Sequence, residues 1–225
     1  MEIFVVGSGK LASEILDSGM SFPSGSLKKW EEKPETYSLK SVIVHAGSGR
    51  QLDKCIGFCK RSKSVFIELS TGLETETMQV DFTLILCPNT SILMLKTMSL
   101  LEHFGQYFAG NNITITESHQ AAKQSVPGTA FNLAKSFQVP SEKIISIRDT
   151  DFQQNELKIP DEFLDRHAYH KITIQDGSDE VSIETRVLGH QSYSKGVKKI
   201  IDAILVHQLE ERKYSVLEFI ENKWL

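Results

Sequence analysis

The chain has 225 residues, which suits one large or two modest domains, and its 40% apolar and 24% charged residues are ordinary for a globular protein. A formal net charge of −4 advertises no basic surface for nucleic acid or an acidic membrane leaflet, and no apolar run approaches the roughly 20 residues of a membrane helix. The three cysteines, Cys55, Cys59 and Cys87, include no second pair to complete a metal site, so reduced, packed thiols, no metal and a cytoplasmic location are expected.

No targeting segment is expected, because Met1-Glu-Ile-Phe-Val-Val6 is too short for a signal-peptide apolar region and runs straight into glycines. Ile3–Val6 reads as a strand, Gly7-Ser8-Gly9 as its turn, and Lys10–Ser18 as a helix with Leu11, Ile15 and Leu16 on one face. A weak strand follows at Ser26–Trp30. Clearer ones lie at Ser41–His45, Ser64–Glu68 and Phe82–Leu86, with a helix over Gln51–Arg61. Each apolar strand ends in a Gly, Ser, Thr or Pro-Asn turn, the pattern of a parallel sheet whose ligands bind at the carboxyl ends of its strands. Residues 1–87 therefore read as a Rossmann-like, doubly wound dinucleotide-binding domain of α/β class. The roughly ten residues between the second and third strands suit a loop rather than a full crossover helix.

Downstream, Ser91–Gly105 reads as a long helix, Asn112–Glu117 as an alternating strand and Thr129–Phe137 as a helix. Lys143–Arg148, Tyr169–Ile174 and Glu180–Val187 alternate as strands, with a tight turn at Asp176-Gly177. Ser194–Gln208 is a helix, and Ser215–Ile220 a short last one. This describes a C-terminal α+β domain over 88–205 with a mostly antiparallel or mixed sheet, one face of it exposed or intersubunit, while 206–225 returns to the first domain.

Gly7-Ser8-Gly9-Lys10-Leu11-Ala12 fits the G-x-G-x-x-[G/A] turn between strand and helix. Its first glycine permits the sharp turn, and its second lets a pyrophosphate approach the backbone. Lys28 and Lys29, near the end of the second strand, can pair with a 2′-phosphate, and Trp30 can stack on adenine. The alternative is a solvated edge in which Lys28 and Lys29 are followed by Glu31 and Glu32. The reading leans to NADPH while keeping NADH.

Between Glu117 and Ala130 the chain gathers His119, Lys123, Pro127, Gly128 and Thr129. An imidazole exchanges protons near neutrality, a lysine supplies a cation or proton, and free N–H groups at a helix start suit a carboxylate. The plainer alternative is a polar loop with an incidental histidine.

This combination resembles the dihydrodipicolinate reductase (4-hydroxy-tetrahydrodipicolinate reductase) family of lysine and diaminopimelate synthesis, whose central motif runs approximately E-x-H-H-x-x-K-x-D-x-P-S-G-T-A. Here the stretch is Glu117-Ser-His119-Gln120-Ala-Ala-Lys123-Gln-Ser-Val-Pro127-Gly128-Thr129-Ala130. Ser70-Thr71-Gly72 resembles the family's G-T-T-G turn, Cys87-Pro88-Asn89-Thr90-Ser91 its A-[PA]-N-[FY]-S turn, and Gly189–Gly196 its late strand-to-helix passage. The resemblance implies a nicotinamide across Ser70, Thr71, Pro88, Asn89 and Thr90. It implies a small cyclic dicarboxylate as substrate, with His119 as general acid/base and Lys123 as proton donor that also pairs with substrate. Gln120, Gly128 and Thr129 would then bind substrate, and a homo-oligomer, tetrameric in the family, is expected. The chain departs from the motif at Gln120, which replaces a second histidine, and at the missing serine before Gly128. Ser125 stands where the aspartate is expected, and His45-Ala46 replaces an Asp/Asn-Phe pair after the third strand.

His167 and His170, three apart on a strand, face opposite ways and make a poor metal pair. They read as surface or pocket residues, and His190 as a substrate-contact position implied by the resemblance. Two other readings stay open: a related oxidoreductase acting on another imine or enamine acid, and a non-catalytic dinucleotide-binding regulator.

Overall fold

The runs Ile3–Val6, Val42–Val44 and Val65–Ile67 are buried throughout, as strands covered on both faces must be. The computed structural model describes residues 1–23, 25–31, 39–123 and 127–225. In chain order its elements are β1 (Glu2–Val6), α1 (Lys10–Leu16), β2 (Ser26–Lys29), β3 (Ser41–His45), α2 (Leu52–Ser62), β4 (Val65–Glu68), β5 (Leu84–Leu86) and α3 (Ile92–Phe104). These are followed by β6 (Asn112–His119), α4 (Gly128–Ser136), β7 (Ile145–Ile147), α5 (Thr150–Asn155), β8 (His167–Asp176), β9 (Asp179–Leu188), α6 (Gln191–Val206), β10 (Lys213–Ser215) and α7 (Val216–Glu221). No helix among the described residues is long and apolar enough to cross a membrane.

The chain divides into two units, Met1–Ile92 with Tyr193–Leu225, and Leu93–Ser192. In the first, six parallel strands run in the order β10-β5-β4-β3-β1-β2. The order reverses at β1, which places the natural ligand crevice at the carboxyl ends of β1 and β3. One layer of its core joins Phe4, Ile43, Phe66 and Leu84 of the sheet to Leu52, Cys55, Ile56, Phe58 and Cys59 of α2. Burial raises the Cys55 thiol to about 12, helped by the nearby Glu68 charge, and raises Cys59 and Cys87 as well. All three are free, neutral packing groups.

β10 was not foreseen. It is a three-residue edge strand with no alternation to betray it, paired in parallel with β5. α7 follows at once, its start fixed by a capping box in which Ser215 Oγ accepts from the Leu217 N–H while Glu218 Oε1 accepts from the Ser215 N–H. The sequence places the helix from Ser194 in the second domain. In the structure the residues from Tyr193 onward belong to the first unit, because Gly196 lets α6 lie directly on the turn before α3. A Cβ at Gly196 would stand 1.5 Å from the Thr90 carbonyl oxygen.

In the second unit a mixed sheet runs β7-β6-β8-β9, with β6 parallel to β7 and antiparallel to β8. Leu157, Ile159 and Tyr169 form a small core beneath it, against Ile147, Phe163, Leu164 and Leu188. The loop expected between the second and third strands lies largely outside the described residues.

Candidate active site

Two sets of groups stand out, one on each unit. In the first unit, the turn after β1 begins at Gly7 with φ +126°, a conformation that side chains rarely adopt, and a Cβ there would meet the Ala46 carbonyl oxygen at 2.4 Å. Gly9 then leaves open space where a side chain would stand, Ser8 and Lys10 are exposed, and Leu11 is half-buried. Gly7, Ser8, Lys29, Trp30, Arg50 and Gln51 line a cavity of about 210 Å³ at the carboxyl edge of the sheet. The bare glycine backbone and the two basic side chains fit the phosphates of a dinucleotide.

Lys28 and Lys29 separate in role. Alternation along β2 turns Lys28 to Glu2, with which it forms an exposed ion pair, whereas Lys29 lines the cavity. Trp30 is not an open stacking platform for adenine. It is 6% exposed and packs edge-to-face against both Phe4 and Phe58, because β1 and α2 close over it. Glu32 lies outside the described residues.

Ser70 and Thr71 follow β4. Ser70 Oγ accepts the Ser48 N–H at 3.1 Å, and Thr71 is exposed. In the turn after β5, Asn89 Oδ1 accepts the Ser91 N–H at 2.8 Å and the Cys87 thiol donates to the Asn89 carbonyl at 3.1 Å. Pro88 and Asn89 are half-buried. Thr90 is buried and its hydroxyl oxygen has no hydrogen-bond partner among the described residues, so it faces protein rather than an open surface.

The second set sits at the end of β6. Glu117 and His119 are two residues apart on one strand, so their side chains share a face. Glu117 Oε2 lies 2.7 Å from His119 Nδ1, and its Oε1 accepts from Arg148 Nη2 at 2.7 Å. Burial raises the Glu117 carboxyl, but hydrogen bonds from His119, Arg148 and Ser146 outweigh it and bring it down to about 2. An ionised carboxylate can only accept, so the hydrogen of neutral His119 resides on Nδ1 and Nε2 is left to exchange protons. Burial lowers the His119 pKa, and the charges of Lys123 and Arg148 lower it further against the opposing pull of Glu117.

Lys123 is half-buried and sits in a turn, not a helix, its N–H donating to the Gln120 carbonyl at 2.9 Å. Arg148 Nε donates to the Lys123 carbonyl at 2.9 Å, so one guanidinium fixes both the carboxylate behind His119 and the backbone of Lys123. Burial first, then Arg148 and Arg166, lower the Lys123 pKa. Gln120 is half-buried beside it. Gly128 opens α4 with Pro127 at its N-cap and no side-chain cap, and Thr129 is buried in its first turn. Ser125 lies outside the described residues.

Sequence reasoning gave no definite role to three further groups. His170, on β8 in register with Glu117, sets its ring edge-on to His119 at 5.8 Å. Burial, and then the His119 charge, push it down to about 3. Gln153 of α5 is buried and donates to Ser118 Oγ at 3.0 Å and the His119 carbonyl at 2.8 Å, clamping the end of β6. Arg148 is the third. The pair spacing of Glu117 and His119 was readable, but the others arrive only through sheet order. His167 faces the opposite side of β8, bonded to Ser118 Oγ and the carbonyls of Phe163 and Leu164, and His190 is exposed.

The family described as "Dihydrodipicolinate reductase, C-terminus" matches residues 94–220, more than half of the chain. A probable 4-hydroxy-tetrahydrodipicolinate reductase 2, chloroplastic, of Oryza sativa subsp. japonica is 29% identical over 113 residues, 47% of this chain and 35% of that protein. The 4-hydroxy-tetrahydrodipicolinate reductase 2, chloroplastic, of Arabidopsis thaliana is 29% identical over 143 residues, 57% of this chain and 40% of its own length. The matches thus span well under half of these relatives. The dipicolinate-bound dihydrodipicolinate reductase of Paenisporosarcina sp. TG-14 has the same fold, with a TM-score of 0.64 at 15% identity over 96% of this chain and 97% of that one. The chain belongs to the dihydrodipicolinate reductase family.

Proposed function

We propose that this chain is an NAD(P)H-dependent reductase of 4-hydroxy-tetrahydrodipicolinate, acting in lysine and diaminopimelate synthesis. The observation that carries the reading is the Glu117–His119–Arg148 arrangement with Lys123 beside it. It is a proton-exchanging imidazole with its tautomer fixed, next to an amine whose proton is easier to release than usual.

Gly7, Ser8, Gly9, Lys10 and Leu11 form the turn that would hold the dinucleotide phosphates, with Lys29 at its side. Ser70, Thr71, Pro88 and Asn89 would border the nicotinamide end. When bound, the reduced nicotinamide supplies hydride. Gly128 and Thr129 at the start of α4 offer backbone N–H groups to one substrate carboxylate, and the Lys123 ammonium offers charge to another. Loss of the substrate's hydroxyl as water would leave a conjugated ring imine; hydride would then add to the carbon that carried the hydroxyl, and Lys123 would release a proton to the ring carbon beside it. His119 Nε2 passes protons between solvent and this site while Glu117 holds its Nδ1–H.

Gln120 favours a second reading, a related reductase of another cyclic imine or enamine acid, because an amide binds by hydrogen bonds but carries no charge. For the oligomer we place the contact on the four-stranded sheet, whose outer strand β9 is exposed from Asp179 to Ser182. The test is oxidation of NADPH and of NADH with freshly generated 4-hydroxy-tetrahydrodipicolinate, against a panel of cyclic imine acids. Turnover confined to another panel member would replace the first reading with the second. Retained dinucleotide binding with no turnover of any substrate would overturn both.

A further inference from the structure

His45 closes β3 and Glu68 closes β4, and the two are register partners at the carboxyl edge of the parallel sheet. Neither side chain has any solvent exposure. His45 Nδ1 lies 2.8 Å from Glu68 Oε1, and Nε2 lies 3.0 Å from the Arg50 carbonyl oxygen. A carbonyl only accepts, so Nε2 carries a hydrogen, and a second hydrogen is held between Nδ1 and Oε1. Glu68 Oε1 also accepts the Ser70 N–H at 2.8 Å, while Oε2 is buried with no hydrogen-bond partner among the described residues. An apolar pair would fill this space at lower desolvation cost, so the polar pair needs a reason beyond stability.

The reason lies in what the pair holds. The turn after β3 contains two non-glycine residues in the left-handed region, Ser48 at φ +50° and Gln51 at φ +58°. Such residues persist only where their surroundings over-determine them, and they cluster at ligand clamps. Here the His45–Arg50 bond and the bond from the Ser48 N–H to Ser70 Oγ fix the turn. The result is that Arg50 and Gln51 line the same cavity as Gly7, Ser8 and Lys29.

We propose that the buried His45–Glu68 pair is a positioning device that holds the turn after β3 so that the Arg50 guanidinium pairs with a phosphate of the dinucleotide. The proposal rests on the reading of this cavity as a dinucleotide site. His45 acts through Arg50, and Arg50 is the binding residue.

The test is calorimetric measurement of Kd for NADPH and NADH with the full chain, well below its melting temperature. Arg50→Gln, on an exposed side chain, raises Kd about tenfold through loss of a charge-assisted pair. Loss for NADPH alone identifies the 2′-phosphate, and loss for both nucleotides identifies the pyrophosphate; either supports the proposal. His45→Gln and Glu68→Leu reproduce that loss, and neither adds to Arg50→Gln in the double variant. Glu68→Gln, whose amide can donate to Nδ1 or accept from it, stays within about threefold of the parent chain. Phe82→Leu, a core change elsewhere in the same unit, lowers the melting temperature without moving Kd. Unchanged Kd values in Arg50→Gln, or in both His45→Gln and Glu68→Leu, overturn the proposal while leaving the dinucleotide reading intact. Failure of the parent chain to bind either nucleotide overturns both.

Discussion

Glu117 and His119 meet at 2.7 Å on one face of β6, carboxylate oxygen to Nδ1, with the other carboxylate oxygen taken by Arg148. A neutral imidazole so held can present only one nitrogen, Nε2, to a substrate. Replacing Glu117 with Gln removes the charge that supports the His119 cation. The His119 pKa, already below its ordinary value, falls further, and the histidine limb of the kcat/KM profile moves to lower pH. We expect kcat to fall by about 10²-fold with KM changed little, read from steady-state kinetics across pH.

His119→Ala and Lys123→Ala each lower kcat by about 10²-fold or more. The parent chain gives a bell-shaped profile. Activity rises as His119 loses its proton, below the usual histidine value of 6.5, and falls as Lys123 loses its own, below the usual lysine value of 10.5. Unchanged rates in either variant reject the role assigned to that residue.

Arg148→Gln acts on both neighbours at once. It removes a positive charge that depresses Lys123, so the alkaline limb of the profile moves up. It also removes a hydrogen bond that holds Glu117 near 2, so that carboxyl rises. A profile whose alkaline limb stays in place would show that Arg148 does not tune Lys123.

His170 makes stability depend on pH. Its folded value of about 3 lies below the ordinary 6.5, so between these values the unfolded chain binds a proton that the folded chain does not. Its contribution is therefore fully present above about pH 6.5 and is lost as pH falls toward 3, by up to about 1.4 kcal/mol per unit. His170→Gln flattens that slope in urea titrations at stepped pH, whatever it does to stability at neutrality.

Gly196→Ala reverses the usual helix rule. Alanine in a helix interior ordinarily gains about 1 kcal/mol over glycine. Here the new Cβ would stand 1.5 Å from the Thr90 carbonyl oxygen, so α6 must shift. We expect a net loss of about 1–3 kcal/mol in denaturant unfolding.

The centre of the parallel sheet was legible because β1, β3, β4 and β5 carry unbroken apolar runs, and each ends in a turn residue. The mixed sheet was legible from alternation and the Asp176-Gly177 turn. β10 was hidden because three residues carry no period, and α5 because Thr150–Asn155 is a single polar turn and a half. His119 and Lys123 stood out by residue type and spacing. Their supports did not, because Arg148 and His170 reach Glu117 and His119 from just past the end of β7 and from β8, and no local signal gives the order of strands in a sheet. The opposite error occurred at Trp30, where a tryptophan at a nucleotide edge reads as a stacking surface until Phe4 and Phe58 are seen to enclose it.

The proposed chemistry is hydride transfer to a ring dicarboxylate with protons managed by His119 and Lys123. The most direct measurement is mass spectrometry of the product formed from freshly generated 4-hydroxy-tetrahydrodipicolinate and a reduced nicotinamide deuterated at its transferring carbon. One deuterium per product molecule from the cofactor, with the second new hydrogen coming from solvent, and product formation lost in the His119→Ala/Lys123→Ala double variant, is the predicted result. Product without cofactor deuterium, or no product from a chain that binds the dinucleotide, would contradict it.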